Sequence, residues 1–69
     1  MAGLDLVVNG EPYTARPGDT VLDLLEALGL GGRPVAVEVN EQVVPRARLG
    51  GCMLEAGDRL EIVSLVGGG

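Results

Sequence analysis

Leu4-Asp5-Leu6-Val7-Val8-Asn9-Gly10-Glu11-Pro12-Tyr13-Thr14-Ala15-Arg16, followed by Pro17-Gly18-Asp19-Thr20-Val21-Leu22-Asp23-Leu24-Leu25, is the stretch that decides the fold. Apolar residues at positions 4, 6 and 8 alternate with the period of a strand that rests one face on a core. Asn9-Gly10 is the pair that tight hairpin turns favour, because both central positions of such a turn need positive φ. Glu11 to Arg16 reads as the returning strand, and Pro17-Gly18 breaks it. The period then changes. Val21, Leu22, Leu24, Leu25 and Leu28 follow the spacing of one apolar helix face. Asp19 or Thr20 can cap it, and Thr20-Val21-Leu22-Asp23 resembles a capping box with aspartate in place of glutamate. Gly29 is placed to end the helix in a left-handed cap. A helix this short needs a sheet to pack on.

Downstream, Pro34 opens a third strand, Val35 to Asn40, with Val35, Val37 and Val39 on one side and Ala36, Glu38 and Asn40 on the other. Glu41-Gln42 reads as a turn and Val43-Val44 as a short strand stopped by Pro45. Residues 46–53 read as irregular or a single helical turn. Glu55-Ala56-Gly57-Asp58 is a turn into the last strand, Arg59 to Val66. Hairpin, helix, strand, short strand, strand is the order of a β-grasp, the ubiquitin-like fold. The expected class is therefore α+β, with a mixed four- to five-stranded sheet and one helix packed across it. Residues 1–66 form the domain and Gly67-Gly68-Gly69 a flexible C-terminal tail. Three glycines in a row make a thin peptide without side chains, suited to threading a narrow channel in another protein.

Composition removes several functions. Hydrophobic residues make up 46% of the 69 and Tyr13 is the only aromatic, so Val, Leu and Ile must fill the interior. A net charge of −5 and no aromatic platform argue against nucleic acid and favour a partner with a basic docking face. No apolar run reaches membrane-spanning length and no signal-peptide pattern opens the chain, so a cytoplasmic protein without membrane contact is expected. The chain has no histidine and no lysine, and its single cysteine, Cys52, cannot form an internal disulfide. That inventory is poor for an enzyme and holds no metal ligand set. Whatever chemistry involves this chain is done to it.

Val37-Glu38-Val39-Asn40 followed by Val43-Val44-Pro45-Arg46 resembles the A-x-N-x-x-x-V-P-R segment of the ThiS family of thiamine-biosynthesis sulfur carriers. Val8-Asn9-Gly10, Gly57-Asp58-Arg59-Leu60-Glu61-Ile62 and the final glycine pair match as well, so the similarity spans nearly the whole chain. Gly67 departs slightly, since another small residue often precedes the pair. The resemblance implies that a ThiF-like adenylyltransferase uses ATP to adenylate the Gly69 carboxylate. A cysteine desulfurase or other persulfide donor then supplies sulfur, giving a thiocarboxylate delivered to thiazole synthase. It implies no stably bound cofactor and no catalytic residue in the chain itself. Gly67 and Gly68 provide clearance, because a side chain there would crowd the nucleotide and the incoming sulfur. Three residues reach roughly 10 Å, and ordering them costs about 1–2 kcal/mol each. The tail is thus a weak ligand alone, and the folded domain must dock.

Alternation on the last strand suggests where. With Leu60 and Ile62 toward the helix, Glu61, Val63 and Leu65 face away, and Val7 on the first strand points the same way. Val7, Val63, Leu65 and Val66 are therefore the expected docking face, an apolar patch near the tail. Cys52, beside Met53 and Leu54, reads as a small core residue. Arg46 and Arg48 read as solvated charges, Asn40 as a turn-former bonding nearby backbone, and Asp58 as serving the turn before the last strand. Two other functions remain open: a thiocarboxylate carrier for molybdopterin synthesis or tRNA thiolation, and a ubiquitin-like protein modifier. The V-N-x-x-x-V-P-R segment favours the thiazole carrier.

Overall fold

Asn9 at φ 51° and Gly10 at φ 83° turn the chain between β1 (Leu4–Val8) and β2 (Glu11–Ala15), the left-handed pair that a two-residue hairpin requires. The computed structural model describes residues 2–65. Strand β2 leads into α1 (Val21–Ala27), whose start is held from both sides. The Asp23 amide donates to Thr20 Oγ1 at 3.2 Å, and the Thr20 amide donates to Asp23 Oδ2 at 2.9 Å. Aspartate therefore closes the capping box as glutamate ordinarily does. Thr20→Ala is expected to cost about 1 kcal/mol and to lower Tm by about 4–8 °C. Thermal unfolding checks this, and an unchanged Tm would show that the box is not holding the helix start.

The helix ends as its sequence directs. Gly29 sits at φ 77°, its amide donates to the Glu26 carbonyl at 3.0 Å, and the Leu30 amide donates to the Leu25 carbonyl at 2.7 Å. Glycine adopts that φ without the steric penalty of a Cβ, and the paired bonds satisfy carbonyls that the helix leaves open. Val21, Leu24 and Leu25 are buried and Leu22 packs against the core. Leu28 departs from the expected apolar face. It is the C-cap residue and is 41% exposed, because the chain is already leaving the helix there.

Three further strands complete the sheet: β3 (Val35–Val39), β4 (Gln42–Val44) and β5 (Arg59–Ser64). Their order is β2-β1-β5-β3-β4, with β1 and β5 parallel and every other neighbour antiparallel. This is the β-grasp arrangement: a mixed five-stranded sheet, one helix, and the first and last strands together in the middle. The β3–β4 turn lies one residue earlier than its sequence suggests. Val39 pairs with Gln42, which leaves Asn40 at φ 52° and Glu41 at φ 70° as the two-residue loop. Glutamate stands where glycine would ordinarily mark such a turn, so the signal is muted.

A short 3-10 helix, Arg46–Gly51, follows β4 and drops Leu49 into the core. The next residues run back along the entry to α1. The Val21 amide donates to the Cys52 carbonyl at 2.9 Å, and the Leu54 amide donates to the Asp19 carbonyl at 2.9 Å. The buried core is Leu6, Ala15, Val21, Leu24, Leu25, Val37, Leu49, Leu54 and Leu60, drawn from both hairpins, the helix, the loop and β5. Each fully buried leucine or valine contributes about 1.5–3 kcal/mol relative to exposure. Tyr13 and Cys52 are partly buried against this cluster, so aliphatic side chains carry the interior. Among the described residues no helix is long and apolar enough to cross a membrane.

Candidate functional site

Strand β5 is where the site is built, because it is central and its chain leads toward the glycines. Leu60 is 1% exposed and Ile62 packs on the core, so both face the helix. Val63 is 57% and Leu65 59% exposed, on the opposite face. Val66, Gly67, Gly68 and Gly69 lie outside the described residues.

Side chains from both hairpin turns fix β5 at its flanks. Beyond Val8, where the β1 pairing ends, the Ile62 amide donates to Asn9 Oδ1 at 2.7 Å, and the Asn9 amide donates to the Leu60 carbonyl at 2.9 Å. From the other side, the Arg59 amide donates to Asn40 Oδ1 at 3.0 Å, and the Asn40 amide donates to the Arg59 carbonyl at 2.8 Å. Asn40 Nδ2 also donates to Asp58 Oδ1 at 3.0 Å, and Asp58 Oδ2 accepts from the Glu55 amide at 2.8 Å. Asp58 does serve its turn, yet it also ties that turn to the β3–β4 loop. Asn40 reaches backbone that is near in space but 19 residues away in sequence.

The register divides the expected docking patch. Val7 is half-buried on the outer face but lies opposite Arg59, four positions before Val63 along β5. At ~3.3 Å per residue the offset is about 13 Å. Val7 is therefore not a neighbour of Val63 and Leu65. Parallel strands pair only near the start of β5, an offset that alternation within each strand does not reveal. The neighbours of Val63 and Leu65 come from the β3 side: Ala36 pairs with Val63, and the Leu65 amide donates to the Pro34 carbonyl at 2.8 Å. One step along the same face, Glu38 pairs with Glu61 on β5 and with Val43 on β4, which is 68% exposed. Strand phases alone put Glu38 and Glu61 outward; their direct opposition appears only with the register.

A groove of about 650 Å³ lies near the start of β5, lined by Val39, Asn40, Pro45, Arg48, Cys52 and Met53 among others. Since β3 and β5 run antiparallel, with Val39 opposite Leu60 and Val35 opposite Ser64, this groove is at the far end of β5 from Leu65. Cys52, a free thiol, thus sits away from the end that leads to the glycines. Among the described residues no group of three or more His, Cys, Asp or Glu is placed to hold a metal ion.

These features define a one-helix β-grasp protein with an exposed sheet face of mixed apolar and acidic character beside its C-terminal strand. Comparison with known proteins makes the assignment specific. The model of the ThiS family matches residues 6–69, and the chain belongs to that family. The crystal structure of the thiamine biosynthesis protein ThiS from Geobacter metallireducens superposes with a TM-score of 0.80 at 33% identity, covering 96% of this chain and all of that one. The sulfur carrier protein ThiS of Escherichia coli is 27% identical over 96% of this chain and 100% of its own length. A thiazole synthase from Magnetococcus marinus is 44% identical over 62 residues, 90% of this chain and 19% of that protein. The chain spans about a fifth of the length of the curated thiazole synthases it matches.

Proposed function

We propose that this chain is the sulfur carrier of thiazole formation in thiamine biosynthesis, acting in the cytoplasm, with the Gly69 carboxylate as the group that carries sulfur. The observation that carries this reading is the family match, which runs from the first strand through the final glycines. A carboxylate is a poor electrophile. A ThiF-like adenylyltransferase would join it to AMP from ATP, releasing pyrophosphate and creating a good leaving group. The terminal sulfur of a desulfurase persulfide then attacks the carbonyl and AMP departs. A second thiol cleaves the resulting S–S bond, leaving the thiocarboxylate on Gly69. The chain has no histidine and no lysine, which agrees with a protein that is the substrate of these steps.

Thiazole synthase is the proposed acceptor. Its support is the similarity of this chain to about a fifth of proteins named thiazole synthase, an arrangement in which carrier-like and synthase segments share one polypeptide. The outer face around Val63 and Leu65 would present the domain, while Gly67 and Gly68 give Gly69 passage. The test is to incubate the chain with ATP, a ThiF-like adenylyltransferase, a cysteine desulfurase, cysteine and a reducing thiol, and then weigh it intact. One oxygen replaced by sulfur, located at Gly69 by fragmentation, is expected. No exchange with an adenylyltransferase that is competent on its own carrier would overturn the reading.

A further inference from the structure

On the outer face of the sheet, Glu38 and Glu61 stand directly opposite each other across β3 and β5. Directly opposed side chains on adjacent strands have Cβ atoms ~4.5–5.5 Å apart, and like charges in that relation destabilise the sheet. Arg59 is the nearest basic residue along that face of β5, two positions before Glu61, and it makes no ion pair with either carboxylate among the described residues. Beside the pair lie two side chains that water does not favour: Val43 at 68% exposure opposite Glu38, and Val63 at 57%, two positions after Glu61. Two like charges placed opposite each other, with exposed Val43 and Val63 beside them, are a cost in the isolated chain. The pair becomes an asset once a cation fills it and water is excluded.

We propose that Glu38 and Glu61 together receive one cationic side chain of thiazole synthase, an arginine or a lysine, with Val43 and Val63 as the apolar contacts beside it. This inference rests on the functional reading above and adds how the acceptor is recognised. Charge complementarity commits the face to a basic occupant: the chain carries −5 overall, and both residues central to the patch are acids. A planar guanidinium fits two carboxylates especially well, since its donors point along separate edges. The pair thus trades stability of the free carrier for affinity and register in the complex.

The trade gives the test. Glu38→Gln and Glu61→Gln, in the full chain, are each measured for thermal unfolding and for binding to purified thiazole synthase of the same organism. Each variant is expected to keep or raise Tm by about 1–5 °C and to weaken binding about 30-fold. Glu61→Arg should raise Tm further, because the introduced guanidinium faces Glu38, and should abolish measurable binding. Unchanged affinity in both glutamine variants, with the parent chain binding, overturns this inference and leaves the functional reading standing. A Tm lowered by more than a few degrees in the glutamine variants also overturns it, since the carboxylates would then be structural. Failure of the parent chain to bind thiazole synthase overturns this inference and the acceptor assignment together, while the intact-mass test still decides the sulfur chemistry.

Discussion

Removal of Gly68 and Gly69 is expected to abolish sulfur acceptance while leaving the domain folded. Among the described residues the buried core runs from Leu6 to Leu60, and a glycine has no side chain to add to it. Tm should therefore stay within about 2 °C, a shift that corresponds to a fraction of a kcal/mol in a domain of this size. The chemistry has no such tolerance. Two residues span at most ~7 Å, and a reacting group misplaced by even ~1 Å can lose about 100-fold in rate. The shortened chain should show at least a 100-fold fall in thiocarboxylate formation, read as the sulfur-bearing fraction by intact mass over a time course. Its affinity for thiazole synthase should stay within about threefold, because ordering a glycine costs what little its backbone contributes. Sulfur found on the shortened chain at the normal rate would remove Gly69 from its assigned role. A fall in Tm of the size expected for a core substitution would show that the glycines hold the fold.

Local chemistry made most of the fold legible, and the failures share one cause. Asn9-Gly10, the Thr20–Asp23 box and the Gly29 cap depend on residues a few positions apart, and each appears as its sequence suggests. The β3–β4 turn was displaced by one residue because Glu41 occupies a left-handed position that its side chain does not advertise. The bond from the Ile62 amide to Asn9 joins residues 53 apart, and no local pattern encodes it. The same holds for the site. Alternation placed Val63, Leu65 and Glu61 on the outer face, but the neighbours across that face follow from how far β5 slides against β1 and β3. That slide put Val7 beside Arg59 and brought Glu38 against Glu61. Register is a property of the whole sheet, fixed by the turns and by which residues must reach the core.

Asp58→Ala is expected to be the most damaging substitution of a single polar side chain in the domain. Asp58 is 8% exposed, the only buried charged residue among those described, and both of its oxygens are engaged. One accepts from the Glu55 amide at 2.8 Å and the other from Asn40 Nδ2 at 3.0 Å. Its own carbonyl accepts from the Val7 amide at 3.0 Å, so the residue also stands where β1 meets the start of β5. Hydrogen bonds to a carboxylate are worth about 1.5–3 kcal/mol, and removing the acceptor strands two half-buried donors. A net loss of about 2–4 kcal/mol follows, against a total of about 3–10 kcal/mol for a domain of this length. Tm should fall by about 10–30 °C. Because Asn40 holds Arg59 through its side-chain oxygen and Asp58 through its side-chain nitrogen, the two residues should act as one unit. Asn40→Gly tests that without penalising the φ of 52°, which glycine accepts. The double variant should be less destabilised than the sum of the singles by about 1 kcal/mol or more, measured by denaturant unfolding. Strict additivity would mean that Asp58 serves only its own turn and that the loop after β3 and the turn before β5 hold the start of β5 independently. Coupling would mean that the loop after β3 and the turn before β5 are a single clamp, and that the outer face carrying Glu38, Glu61 and Val63 is held in register by it.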